Sequence, residues 1–340
     1  MKIAATLACA ALAASASAAE PKKVVITSPG AYYSPLGPAE LDALRAAAPD
    51  VKIVAPEAGR ILAELPDADG VIGTITPEML RVAKKLKWVQ VGVAGVERFL
   101  SPELVRSDVT LTNCKILQGP EIADHAMAML LALTRQIHRA IATRTQEEWP
   151  TREYRPIELQ GRTAVVVGVG GIGTQIAVRA HAFGMKVIGV EVRDMPYLPF
   201  LQACVRPDRL DTVLREADVV FVAAPHTAET EKMLGARQLE LMRPGAYFIA
   251  VSRGKLYDAE ALAKAVANKH LAGAGLDVTD PEPLPKGHPL WKLENVIITP
   301  HVAGRSDREH ERYIALFKEN LRRFSAGEPL LNVVDKQKGY

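Results

Sequence analysis

The sequence predicts an α/β protein made of two doubly wound domains, each built on a parallel sheet. From Lys23 onward, short runs rich in β-branched residues alternate with helical stretches, which is typical of parallel strands joined by crossover helices. The chain has 340 residues, 48% of them hydrophobic, which is enough for two domains with separate cores. Its 42 basic and 39 acidic residues are too evenly balanced to suggest a nucleic acid as partner.

The first nineteen residues differ in composition from the rest of the chain. A lysine precedes an apolar run at 3–14, and small residues lead from there to Glu20. This is the pattern of a secretory signal peptide, with Ala16-Ser17-Ala18 as one possible cleavage signal. We therefore expect residues 1–19 to be removed and the protein to be periplasmic or secreted; a mis-assigned start and a cytoplasmic protein are the alternative. The run is too short to span a membrane stably, so we expect no membrane attachment after cleavage.

The first alternating unit is expected to form one domain, residues 20–118 together with 303–340. Five strands are predicted in it, which suits a small flavodoxin-like sheet; they lie at 24–28, 51–55, 70–74, 88–92 and 109–113. A long apolar helix is predicted next, from about Glu121 to Ile137, because apolar residues recur there at helical spacing. A polar stretch follows it at 138–159.

The second alternating unit is expected to form the other domain, residues 119–302. Six strands are predicted in it, at 163–167, 186–192, 218–224, 246–251, 272–278 and 295–299. After the last of them comes an amphipathic pattern from about Ser306 to Phe324, which predicts a helix ending near Gly327. We expect this helix to pack back on the first domain.

A glycine-rich loop opens the second unit. Gly168-Val169-Gly170-Gly171-Ile172-Gly173 directly follows an apolar strand and begins a helix. There Gly168 permits a tight turn, Gly170 lets the backbone approach a pyrophosphate, and Gly173 allows the helix to pack closely on the strand. The helix start at Gly171 and Ile172 offers free N–H groups and a favourable dipole to anions. The second unit is therefore predicted to be a Rossmann domain that binds a dinucleotide, with an inward helix face of Ile172, Ile176, Ala180 and Phe183.

An acidic residue follows this loop at the spacing that a dinucleotide site needs. Glu191 lies at the end of the next strand, eighteen positions after Gly173. A carboxylate there can accept hydrogen bonds from both ribose hydroxyls and repels a 2′-phosphate. Arg193 comes two residues later and could instead pair with that phosphate. The sequence therefore favours NAD as cofactor and leaves NADP possible.

Three segments late in the chain carry residue types that carbonyl reduction requires. They contain Arg253 before a glycine, Glu282 in an acidic proline-rich run, and His301 after Thr-Pro. Reduction needs an acid to protonate the developing alkoxide, a carboxylate to tune that acid, and a cation to hold the substrate carboxylate. These are candidate roles for His301, Glu282 and Arg253 respectively, and the sequence shows no set of ligands that calls for a metal ion.

These segments resemble the D-2-hydroxyacid dehydrogenases, in particular the glyoxylate and hydroxypyruvate reductases. The family signatures R-G, D-x-x-x-x-E-P-L and T-P-H-x-x-G occur in their usual order, beginning at Arg253, Asp277 and Thr299. The resemblance covers nearly all of the chain after Lys23. It also takes in Ala94-Gly95-Val96, Pro120 to His125, Pro225 with Thr230, Met242 to Ala246 and Asn332 to Asp335.

The resemblance implies an oxidoreductase that moves a hydride between a nicotinamide cofactor and C2 of a small 2-oxo or 2-hydroxy acid. It implies that His301 is the acid/base, Glu282 its partner and Arg253 the clamp on the substrate carboxylate. The substrate would also meet backbone N–H groups of Val93, Ala94, Gly95 and Val96, while the cofactor site would include Pro225, Thr230, Val251 and Asp277. It further implies a cleft between the two domains and a homodimer formed through the helix near 121–137.

Two features depart from the family pattern, and two other functions stay open. Asp124 stands where the family usually has Glu, and the family is generally cytoplasmic. A non-catalytic nucleotide sensor on the same fold is one alternative, although such a sensor has no need of an acid/base pair. A phosphite or formate dehydrogenase is the other.

The loops at 28–38 and 93–99 would set substrate specificity, and their shapes cannot be derived from the sequence.

Overall fold

The structure is a computed structural model that describes residues 20–27, 36–149 and 151–340. The predicted signal peptide, residues 1–19, lies outside the described residues. So does most of the first predicted specificity loop, residues 28–35. Within the described ranges, no helix combines the length and the apolar character needed to cross a membrane.

The first sheet has five parallel strands in the order β2-β1-β3-β4-β5. Its strands are three or four residues long and follow the five predicted runs; they are β1 (Lys23–Ile26), β2 (Lys52–Val54), β3 (Gly70–Ile72), β4 (Trp88–Gln90) and β5 (Thr110–Thr112). This order is that of flavodoxin-like folds. We call this sheet and the helices that cover it the five-stranded lobe.

The second sheet has seven parallel strands in the order β12-β11-β10-β9-β6-β7-β8, which corresponds to the Rossmann order extended by one strand. We call it, with its helices, the seven-stranded lobe. Its strands are β6 (Thr163–Val167), β7 (Lys186–Val190), β8 (Ala203–Val205), β9 (Val219–Val222), β10 (Ala246–Ala250), β11 (Leu271–Leu276) and β12 (Val296–Ile298). The predicted α/β fold with two parallel sheets is thus confirmed.

The expected number of six strands in this lobe was wrong, because β8 was missed. This strand forms the edge of the sheet, where Ala203 and Cys204 are exposed. An exposed edge strand does not need the apolar run by which buried parallel strands are recognised.

Eleven α-helices lie in the described part of the chain. They are α1 (Pro38–Ala47), α2 (Ile61–Glu64), α3 (Pro77–Val82), α4 (Pro102–Arg106), α5 (Gly119–Thr134), α6 (Ile137–Arg144), α7 (Gly171–Ala182), α8 (Leu210–Leu214), α9 (Ala236–Leu241), α10 (Ala259–Ala267) and α11 (Glu309–Ala326).

The long helix predicted between the two units is shorter than expected. It was predicted to reach Ile137, but α5 ends at Thr134, and Gln136 adopts a left-handed conformation with φ of 58°. A non-glycine residue in that conformation breaks the helical hydrogen-bond pattern. The chain then turns into α6 at Ile137, within the stretch predicted only as polar.

The C-terminal helix α11 packs on the five-stranded lobe, as expected. Its apolar side chains Tyr313, Phe317 and Leu321 share one core with Val24 of β1 and Trp88 of β4. The chain therefore leaves this lobe after β5 and returns to it after β12. The division of the chain at residues 119 and 303 stays a prediction, although two links join the lobes close to those positions.

These two links run side by side. Nε2 of Gln118, just before α5, donates to the carbonyl oxygen of Gly304 at 3.2 Å. Nearby, the guanidinium of Arg312 in α11 lies 2.8 Å from a carboxylate oxygen of Glu121 in α5, and burial raises the pKa of Glu121 while the charge of Arg312 opposes that rise. Both connections between the lobes are thus held together by polar contacts.

Candidate active site

The glycine-rich loop joins the buried strand β6 to helix α7. Gly168 has a φ of 90°, and a Cβ atom at this position would lie 2.6 Å from the Cα atom of Ala224. A Cβ atom at Gly173 would collide with the carbonyl oxygen of Gly168. Only glycine avoids both conflicts, so the turn and the close packing of α7 on β6 depend on these two residues.

The start of α7 is suited to an anion. A Cβ atom at Gly170 would meet no atom within 4 Å, so the loop is open at that point. The helix begins at Gly171, directly before Ile172, and no side chain caps its first N–H groups. Uncapped N–H groups and the dipole of a 12-residue helix favour a phosphate. This loop therefore fits the pyrophosphate of a dinucleotide.

Glu191 lies beside this loop and already has several hydrogen-bond donors. The backbone N–H of Val169 donates to its Oε2 atom at 3.0 Å, and the backbone N–H of Val192 donates to its Oε1 atom at 3.1 Å. Nε of Arg193 donates to Oε1 at 3.0 Å. Burial would raise the pKa of Glu191, but Arg193 and these N–H groups outweigh burial and lower it. The carboxylate is therefore ionised and paired with Arg193.

The other residues predicted for the cofactor site lie where the strands of the seven-stranded lobe end. Oγ1 of Thr230 donates to the carbonyl oxygen of Pro225 at 2.8 Å, which closes the turn after β9. Val251 follows β10 and is buried. Asp277 directly follows β11 and is buried as well. The strand ends thus bring Pro225, Val251 and Asp277 to one edge of the sheet, where ligands of such folds bind.

Asp277 anchors the segment that carries His301. Its backbone oxygen accepts from the N–H of His301, and its two carboxylate oxygens accept from the N–H groups of Val302 and Ala303, all at 2.9 Å. Oγ1 of Thr299 donates to the same carboxylate at 2.6 Å. These bonds hold His301 at a φ of 53°, a conformation that is uncommon outside glycine and is found at functional sites.

His301 and Glu282 form a hydrogen-bonded pair. Nδ1 of His301 lies 2.9 Å from Oε2 of Glu282, and each side chain is about one third exposed. The backbone N–H of Thr279 donates to the other oxygen of Glu282 at 3.0 Å. Burial alone would raise the pKa of Glu282, but the bonds from His301 and Thr279 and the charge of Arg253 lower it below its ordinary value of 4.5. At neutral pH Glu282 is thus a carboxylate facing an imidazole.

Arg253 reaches across to the five-stranded lobe. Its Nη1 atom donates to the carbonyl oxygen of Ser252 at 2.8 Å, and its Nε atom donates to Oε1 of Glu97 at 3.1 Å. A Cβ atom at Gly95 would overlap with Nη2 of Arg253. Arg253 follows β10 and Gly95 follows β4, so the carboxyl ends of the two sheets face each other across a cleft.

In the loop of residues 93–96, most carbonyl oxygens are already hydrogen-bonded, whereas the N–H groups are available to a ligand. The carbonyl oxygens of Val93, Ala94 and Val96 accept hydrogen bonds from Cys114, Asn113 and Phe99, respectively. None of the four N–H groups of this loop donates to another residue in the described part of the chain. Together with Arg253, this loop can therefore bind a carboxylate.

Two contacts at this site were not predicted from the sequence. Glu97 lies within the predicted specificity loop at 93–99, but nothing in the sequence indicated its contact with Arg253. Nε2 of His125 lies 2.9 Å from Oγ1 of Thr299, which in turn donates to Asp277. His125 therefore contacts the segment that carries His301 through Thr299. Among the described residues, no group of three or more His, Cys, Asp or Glu side chains could hold a metal ion.

Comparison with known proteins gives matches over most of the chain. Residues 127–303 match the family model of the D-isomer specific 2-hydroxyacid dehydrogenase NAD binding domain. A glyoxylate reductase from Korarchaeum cryptofilum is 33% identical over 308 residues, which cover 88% of this chain and 90% of that relative.

Two solved structures resemble the whole chain. A D-isomer specific 2-hydroxyacid dehydrogenase from Xanthobacter autotrophicus, in complex with NADPH and MES, is 28% identical with a TM-score of 0.80, covering 94% of this chain and 100% of that one. An NADPH-dependent glyoxylate/hydroxypyruvate reductase from Sinorhizobium meliloti, in complex with NADP and sulfate, is 26% identical with a TM-score of 0.78 and the same coverage. The chain therefore belongs to the D-isomer specific 2-hydroxyacid dehydrogenase family.

Proposed function

We propose that this protein is an NAD(P)-dependent dehydrogenase that interconverts a small 2-oxo acid and its D-2-hydroxy acid, with glyoxylate and hydroxypyruvate as the first substrates to test. The observation that carries the proposal is the pair of His301 and Glu282, 2.9 Å apart, in the same cleft as Arg253. An acid/base pair beside a carboxylate-binding cation is what reduction of a 2-oxo acid requires. Glyoxylate and hydroxypyruvate are named in the relatives that the chain resembles.

A bound nicotinamide cofactor would supply or accept the hydride, and His301 would donate or accept the proton. In reduction the imidazolium donates a proton to the carbonyl oxygen at C2, and in oxidation the neutral imidazole removes it from the hydroxyl. Because Nδ1 is held by Glu282, the exchanged proton is the one on Nε2. The negative charge of Glu282 stabilises the imidazolium form, which is the form that reduction uses.

Arg253 and the loop of residues 93–96 would hold the substrate carboxylate. The guanidinium offers paired N–H donors to two carboxylate oxygens, and the N–H groups of the loop approach from the five-stranded lobe. Binding of the carboxylate would place C2 between the two lobes. The substrate would thus contact both lobes, although its proton donor comes from the seven-stranded lobe alone.

For the cofactor we favour NAD, with NADP possible. The ionised carboxylate of Glu191 repels a 2′-phosphate, which supports NAD. Its oxygens already accept from Arg193 and from backbone N–H groups, so a ribose would have to displace Arg193 from Glu191. A displaced Arg193 could bind a 2′-phosphate, and two similar structures contain NADPH or NADP.

A panel of 2-oxo acids, assayed by the loss of NADH or NADPH absorbance, tests the proposal. We expect turnover of glyoxylate or hydroxypyruvate by the wild type. The variant His301→Gln, purified in parallel, should lose most turnover and thus exclude a contaminating host dehydrogenase, whereas His181→Gln on the exposed end of α7 should not. Absence of turnover with every acid, with nucleotide binding retained, would favour a sensor; oxidation of phosphite would favour the phosphite dehydrogenase alternative.

We further propose that the protein is a homodimer formed through the α5–α6 region. Ile137 and Ile141 of α6 are 47% and 60% exposed, one turn apart on one helix face. Exposed apolar side chains in such a row favour a protein partner. Light scattering after gel filtration should give twice the chain mass, and Ile141→Asp should shift it to the monomer; a wild-type monomer would refute the dimer.

We also propose that the protein is exported and that its mature form begins near Glu20. The apolar run at 3–14 supports this, and the first described strand begins only at Lys23, so cleavage would leave both sheets whole. N-terminal sequencing of the protein from its native host tests it. An intact Met1 would contradict export by cleavage.

A further inference from the structure

We propose that Glu97 is a positioning residue that orients Arg253 and makes the site select against acids with a second negative charge. The inference rests on the proposed function, since it concerns the same substrate site. Its basis is the ion pair between Nε of Arg253 and Oε1 of Glu97, which are 3.1 Å apart. This pair joins the two lobes directly at the cleft.

All three nitrogen atoms of the Arg253 guanidinium are fixed in position. Glu97 holds Nε, and the carbonyl oxygen of Ser252 holds Nη1 at 2.8 Å. Nη2 lies against Gly95, where a side chain would overlap with it. The remaining hydrogens on Nη1 and Nη2 form the donor edge for the substrate carboxylate. Glu97 thus decides which edge of the guanidinium the substrate meets.

Glu97 is itself held firmly enough to do this. It begins a short helical turn, Glu97–Phe99, directly after the substrate loop. The N–H of Phe99 donates to the carbonyl oxygen of Val96 at 2.8 Å, the ring of Phe99 is buried, and the guanidinium of Arg98 covers that ring at 4.7 Å. The backbone that carries the Glu97 carboxylate is therefore anchored in the core of the five-stranded lobe.

The charges around Arg253 explain the selectivity. Its guanidinium is paired with Glu97 at 3.1 Å, and its charge also contributes to lowering the pKa of Glu282. One substrate carboxylate can share the guanidinium, but a second negative charge in the cleft meets a site that already carries two acids. Because Arg253 and Glu97 are each about one third exposed, solvent weakens this repulsion to an effect of about tenfold on affinity.

Two inhibitors of equal size separate charge from shape. Oxamate and oxalate differ little in shape, but oxamate carries one negative charge and oxalate two. We would measure their dissociation constants by calorimetry, with the enzyme saturated by whichever nicotinamide cofactor it uses. In Glu97→Gln the amide oxygen can still accept from Arg253 while the charge is gone. In this variant we expect the ratio of the oxamate dissociation constant to the oxalate dissociation constant to be about ten times that of the wild type.

Removal of the side chain tests the positioning role. Glu97→Ala frees the Arg253 side chain, so we expect the KM of glyoxylate to rise about tenfold with kcat within about threefold. Glu97→Gln should restore most of that loss. Glu294→Gln, an exposed glutamate just before β12, is the matched control and should behave as wild type.

The outcomes distinguish this inference from the proposed function. An unchanged ratio of oxalate to oxamate affinity in Glu97→Gln would overturn the charge role. A KM of glyoxylate that is the same in Glu97→Ala and the wild type would overturn the positioning role. A wild type that reduces no 2-oxo acid would contradict the proposed function, while the two inhibitor affinities would still report on Glu97.

Discussion

The two lobes contribute to the cleft in different ways. The seven-stranded lobe supplies charged and titratable side chains, namely Arg253, Glu282 and His301, each just beyond the end of a strand or in a segment anchored by Asp277. The five-stranded lobe supplies backbone N–H groups at residues 93–96 and one carboxylate, Glu97. Under the proposed function, one lobe would carry the chemistry, while the other would shape the substrate site and its charge.

The largest effect should come from the cation of the seven-stranded lobe. Arg253→Lys keeps the charge but replaces a two-point donor with a single one. We expect kcat/KM for glyoxylate to fall about a hundredfold, mainly through KM, while the dissociation constant of the cofactor stays within about twofold. Steady-state kinetics and cofactor titration measure both. Loss of cofactor affinity in this variant would show that Arg253 acts on the nucleotide and not on the substrate.

A smaller effect, on the pH dependence of kcat/KM, should follow from replacing Glu282, the partner of His301. The lowered pKa of Glu282 means that its carboxylate stays charged above that pKa and loses its charge as the pH falls through it. Glu282→Gln removes the charge at every pH and keeps the shape, so any fall in rate that protonation of Glu282 causes in the wild type should be absent from the variant. We expect kcat/KM for reduction to lose its acidic limb in Glu282→Gln and to lie about tenfold below the wild type above that pKa.

The same variant has a second expected result, for the opposite reaction. Oxidation of the 2-hydroxy acid uses the same pair in reverse, so its kcat/KM should also lose the acidic limb in Glu282→Gln. For both reactions kcat/KM is to be measured against pH at saturating cofactor. An acidic limb that is the same in Glu282→Gln and in the wild type would mean that the charge of Glu282 does not act through His301.

The smallest effect should concern the choice of cofactor. Glu191→Ala removes the group that repels a 2′-phosphate and releases Arg193, so the ratio of kcat/KM for NADH to that for NADPH should fall about tenfold. Arg193→Ala should harm the use of NADPH more than that of NADH. Equal effects on the two cofactors in both variants would show that neither residue contacts the ribose.

The strands of the seven-stranded lobe were the easiest feature to predict. Buried parallel strands such as β6, with Val165 and Val166 fully enclosed, must be apolar throughout, and the sequence shows this directly. The edge strand β8 lacks that constraint.

The prediction that Phe183 lies on the inward face of α7 was wrong, since its side chain is 45% exposed. The helix ends at Ala182, so the helical spacing that predicted an inward position no longer applies to Phe183.

The site was predictable as a set of residues but not as a geometry. The motifs around Arg253, Glu282 and His301 indicated the chemistry, and the roles of these residues stay predictions. The ion pair of Arg253 with Glu97 joins residues 156 positions apart, and no local pattern reports on a contact of that separation. It follows only from the way the two sheets face each other.

The double connection between the lobes has a mechanical consequence. A single linker would allow one lobe to twist freely about the chain as well as to bend. Two linkers that run side by side, held by the bond from Gln118 to Gly304, restrict twisting of one lobe against the other more than bending. The ion pair of Glu97 and Arg253 joins the same two lobes at the cleft. A change in the angle between the lobes would therefore also change the distance between these two side chains.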